Sequence, residues 1–114
     1  MAISVYASAS ATPESLLESL KQKVRVGDIE TWSIDSDGDF THTPQQWKDQ
    51  AYLRPRIVNG VLQFFLIGRK SVKMSKEVYG VYHGRFSEML LTHFDTSMRE
   101  LKLSSLRAPG DVFT

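Results

Sequence analysis

The sequence predicts an α+β fold, a mainly antiparallel sheet of about five to six strands with one long and one or two shorter helices packed on one face. Three observations carry this reading. Two long apolar runs flank Asn59-Gly60, and two shorter ones flank the Asp37-Gly38 pair, both strong signatures of tight hairpins. Residues 75–94 repeat their apolar positions at the period of a helix. No cysteine offers a disulfide framework in place of a core.

Taken in order, Ile3, Val5 and Ala7 alternate with Ser4, Tyr6 and Ser8, as in a strand. Thr12-Pro13 supplies a helix cap followed by proline at the first helical position. Leu16, Leu17, Leu20 and Val24 form the stripe of that helix, with Gly27 as its stop. Residues 29–34 and 39–43 are read as strands joined by Asp35-Ser36-Asp37-Gly38. Thr43-Pro44 repeats the cap signal and predicts a short helix over 45–51 that presents Trp47. Residues 53–58 and 61–67 form the second hairpin. Pro55, which has no amide proton to give, places the first of these strands at a sheet edge or delays its start. The second is apolar on both faces and belongs at the centre. The long helix follows, and residues 98–103 alternate as a last strand. The predicted order is β-α-β-β-α-β-β-α-β, with one domain over 1–107 and a loose tail over 108–114.

The long helix sorts into faces at about 100° per residue. Val78, Tyr79, Tyr82, Phe86, Met89, Leu90, His93 and Phe94 share a broad arc that suits burial on a sheet. Gly80, Gly84, Ser87 and Leu91 share a narrower stripe, and Arg85, Glu88 and Thr92 point elsewhere. Each interior glycine costs roughly 1 kcal/mol relative to alanine. The pair therefore marks either tight packing on a neighbouring element or a surface that something else approaches.

Composition narrows the function. Fourteen basic and thirteen acidic residues leave a formal charge of +1, so no global field draws in nucleic acid or an anionic membrane. Arg69, Lys70, Lys73 and Lys76 make the one basic cluster, best read as a solvated loop. No apolar run is long enough to span a bilayer. The first eleven residues lack the basic and apolar segments of a secretory signal, which with the absent thiols favours a cytoplasmic protein.

Catalytic motifs are scarce. Lacking cysteine, the chain has no thiolate nucleophile or thiolate metal ligand. There is no nucleophile elbow, phosphate loop or dinucleotide fingerprint. Asp35, Asp37 and Asp39 echo a calcium loop, but no register places both the required glycine and the terminal glutamate. They are read as a solvated acidic turn. His83 and His93 lie about 15 Å apart along one helix, too far to share an ion. No metal and no cofactor is expected. His93 is read as a core histidine and His83 as the one facing a cleft. The leading expectation is a small non-catalytic interaction or regulatory protein, with a protein partner or homo-oligomer. The alternative is a small-ligand domain or enzyme whose cleft lies between the long helix and the sheet near His83. The candidate contact residues are His83, Gly80, Gly84, Tyr79, Trp47 and His42.

Overall fold

The computed structural model describes residues 2–114. Strands β1 (Ala2–Ala7), β2 (Trp32–Ile34), β3 (Phe40–His42), β4 (Ala51–Val58), β5 (Val61–Gly68) and β6 (Met98–Leu103) form one sheet. Its order is β2-β3-β4-β5-β1-β6, and every adjacent pair of these strands is antiparallel. Two helices, α1 (Pro13–Arg25) and α2 (Lys76–Phe94), lie against one face of it. Leu16, Leu20 and Val24 of α1 and Tyr82, Phe86, Leu90 and Phe94 of α2 meet Ile3, Val5, Leu53, Leu62, Phe64 and Leu66 in a single core. The predicted α+β architecture is therefore the observed one.

Local chemistry explains the elements that form as expected. The Thr12 hydroxyl accepts from the Ser15 amide, the Ser15 hydroxyl accepts from the Thr12 amide, and Pro13 opens α1. Ser75 accepts from the Val78 amide and caps α2. Asn59 and Gly60 both take positive φ, 52° and 78°, the geometry a two-residue hairpin between β4 and β5 needs. β5 is central, as its two apolar faces require.

Three expectations fail, one of them only in part, for definable reasons. Residues 45–51 do not form a helix. The Trp47 and Lys48 amides both donate to the Pro44 carbonyl, but Asp49 then turns left-handed at φ 58° and ends the coil after one turn. β4 as a whole neither starts late nor ends the sheet, although the half that carries Pro55 has the open side expected of it. Pro55 is accommodated because β3 pairs with β4 only at Phe40 and Leu53, which leaves the far half of β4 with β5 as its sole neighbour. The tail is not loose. β1 pairs with β5 from Leu62 to Phe65, and the tail takes up the next stretch of the same strand. Val112 bridges Ile67 in parallel, the Leu66 carbonyl accepts from the Val112 amide, and the Gly68 amide donates to the Val112 carbonyl. Buried Asp111 accepts from the Leu66 amide at 2.9 Å and from the Ala108 amide at 2.8 Å. Gly110, at φ 104°, lies so close to the Phe65 ring that a Cβ there would stand 2.5 Å from it.

Candidate functional site

A cleft is built at the β2-β3 end of the sheet rather than beside His83. Its volume is about 530 Å³, and its walls come from residues 28–31, from His42, from Pro44 and Trp47, and from α2 between Arg85 and His93. Each wall is fixed by a local feature. After α1 the chain turns back, with the Asp28 and Ile29 amides donating to the Lys23 carbonyl and Ile29 buried in the core. The Thr43 amide and hydroxyl then tie the loop down through the carbonyls of Thr31 and Glu30. The turn carrying Trp47 is held from below. Tyr82, fully buried on α2, donates its hydroxyl to the Trp47 carbonyl and meets the Thr41 hydroxyl at 3.1 Å.

His42 is the chemical centre of this cleft. It ends β3, is 5% exposed, and stacks on the buried Trp32 indole at 4.5 Å between ring centres. Its Nδ1 lies 2.8 Å from the Thr31 carbonyl, which can only accept, so Nδ1 carries a proton. Burial is the main force that lowers the His42 pKa. The Arg85 charge adds to this, while the bond to Thr31 and the Glu88 charge oppose it. The ring is therefore neutral near pH 7, with an acceptor lone pair on Nε2. That atom has no protein hydrogen-bond partner among the described residues, and the cleft is the space its ring borders. Around it stand the carboxylates of Asp28, Glu30 and Glu88 against the single guanidinium of Arg85. Arg85 and Glu88 form an exposed pair at 3.5 Å. Trp47, Met89 and His93 supply the broader faces.

The two helical histidines exchange the roles expected of them. His83 is 2% exposed, its Nδ1 is 2.6 Å from the Tyr79 carbonyl, its ring lies 4.5 Å from that of Tyr79, and it borders none of the clefts described here. The cause is that His83 falls between Leu90 and Phe94 around α2, inside the buried arc, which runs on to Ser87. His93, expected in the core, is only half-buried and lines the cleft, because residues 28–31 rather than a strand face that end of α2. Tyr79 packs on Phe113 beside His83, away from the cleft, and burial raises its phenol pKa. Gly80 and Gly84 are exposed, and a Cβ on either would meet nothing within 4 Å, so no internal packing accounts for them. They border a shallow depression with Val81, Arg85 and Glu88 on the outer face of α2. Of the six candidate contacts, the structure brings His42 and Trp47 together and leaves the other four outside the cleft.

The acidic turn also differs in detail. Asp35 Oδ1 accepts from the amides of Asp37 and Asp39, and Asp39 is buried rather than solvated. Arg54 grips Asp39 with a two-pronged contact, Nε to Oδ1 at 3.0 Å and Nη2 to Oδ2 at 2.8 Å. One carboxylate of the three thus pins β4 to the turn.

Sequence reasoning missed Asp28, Glu30, Thr31 and Met89 as members of one site. No periodicity connects a loop after α1 with the far end of α2, and only the folded path of the chain joins them. The described residues hold no helix long and apolar enough to cross a membrane. Comparison with protein-family models, with curated proteins and with solved structures finds no match for this chain.

Proposed function

We propose that this is a small non-catalytic interaction protein that recognises a cationic, hydrogen-bond-donating group in the His42 cleft. The partner chemistry that fits is an arginine or lysine side chain presented by another protein. The observation that carries the reading is the neutral His42 ring, held through Nδ1 by the Thr31 carbonyl, on the wall of a cleft that Asp28, Glu30, Glu88 and Arg85 also line. A guanidinium or ammonium donor would meet an acceptor there, negative charge at the rim, and the Trp47 ring to lie against. A cytoplasmic setting belongs to the same proposal and rests on the cysteine-free sequence.

The cleft volume favours one second reading, a free small amine held at the same place, since about 300–1,000 Å³ is the usual range for small-molecule pockets. One titration tests both. Butylamine, a capped arginine amide and an arginine-containing peptide would be added while His42 and Trp47 are followed by NMR. Saturable shifts at both residues, weakened in Glu88→Gln, are expected. Tighter binding of the peptide supports a protein partner, and equal binding supports a free amine. No saturable shift with any of the three overturns the cleft as the recognition site.

A further inference from the structure

We propose that a second copy of this chain docks along β6, pairing the two β6 strands antiparallel across a two-fold axis through Leu101. β6 ends the sheet, with β1 on one side and no strand on the other among the described residues. Beside it runs a groove of about 500 Å³ whose apolar members are Leu91 of α2 with Met98, Leu101 and Leu103 of β6. Leu91 is 54% exposed and Leu103 47%. An open edge next to exposed leucines is a surface that a β-strand fits through its backbone and an apolar face fits through its side chains.

The order of residues in β6 selects a second copy as the occupant. Leu101 and Leu103 pair with Val5 and Ile3 and lie on the helix side, while Glu100 and Lys102 pair with Tyr6 and Ser4 and lie on the other. A two-fold axis perpendicular to the sheet keeps the helices of both copies on one side. Residues that face each other across the axis must then share a face. Three registers near the strand centre meet this condition. Centring on Glu100 opposes two glutamates, and centring on Lys102 opposes two lysines. Centring on Leu101 sets leucine against leucine on the apolar side and makes two Glu100–Lys102 pairs on the other. Only this register has no like-charge opposition among these residues, so the strand is complementary to itself in one alignment. Glu100 and Lys102 already approach to 3.5 Å within the strand and are both exposed, so both charges are available at the edge.

This surface is separate from the His42 cleft. Ser87 and Leu91 of α2 line the groove, whereas Arg85, Glu88, Met89, Thr92 and His93 line the cleft. Sedimentation equilibrium of the full chain over a wide concentration range tests the proposal. The wild type is expected to dimerise. Lys102→Glu, which turns both ion pairs into like-charge contacts, should weaken the dimer at least tenfold. The double variant Glu100→Lys with Lys102→Glu restores opposite charges in the same register and should recover it. A wild type that stays monomeric into the millimolar range overturns the proposal. So does a dimer indifferent to Lys102→Glu, or one that the double variant fails to restore. A variant of His42 should leave the dimer unchanged, so failure here and failure of the cleft reading are told apart.

Discussion

His42 couples the site to pH. Its folded pKa lies below the ordinary 6.5, chiefly because burial disfavours the charged ring. Between 6.5 and that lower value the unfolded chain binds a proton that the folded ring refuses, so stability falls as pH drops through this window. Above the window the group adds no pH dependence. His42→Gln should therefore flatten the mildly acidic part of the melting-temperature profile relative to wild type, and parallel profiles from pH 7 down to 5 would contradict the assignment. The same residue shows how far the sequence could be read. His42 and Trp47 stand out from their types alone. Whether His83 or His93 meets the cleft depends on how α2 is rolled on the sheet, and a wide apolar arc leaves that angle open.

At the scale of elements, α2 carries an unexplained cost. Gly80 and Gly84 are exposed, with open space where a Cβ would stand. Replacing either by alanine should raise stability by up to about 1 kcal/mol, read from the urea denaturation midpoint at unchanged slope. A loss of stability in both would mean that the helix backbone is strained at these positions. The elements most legible from sequence were those with a local cause. Thr12-Pro13, Ser75 and Asn59-Gly60 each act within a few residues, and the elements they start or join form where expected. The helix expected over 45–51 had the same kind of start signal, but Asp49 in a left-handed conformation ends it after a turn. Its sequence gave no sign of this, because the Tyr82 hydroxyl that holds the Trp47 carbonyl comes from a helix 35 residues away.

For the molecule as a whole, the tail is structural rather than accessory. Asp111 bonds the Leu66 amide at the centre of the sheet and, through its other oxygen, the Ala108 amide. Asp111→Ala would leave a buried amide without its acceptor and should cost about 1–3 kcal/mol in equilibrium unfolding. A change near zero would show that the tail's other contacts suffice. Sequence could not reveal this attachment. Ala108-Pro109-Gly110 reads as a chain end, and the need it meets belongs to a strand more than forty residues earlier.

The cleft lies at one end of the sheet and β6 at the other. Two copies joined edge to edge would hold their His42 residues about 43 Å apart, given nine spacings of about 4.8 Å from one β3 to the other. A ligand with a single positive arm would then gain nothing from dimerisation. One bearing two arms at that reach would dissociate far more slowly, because each grip keeps the other within range to close again.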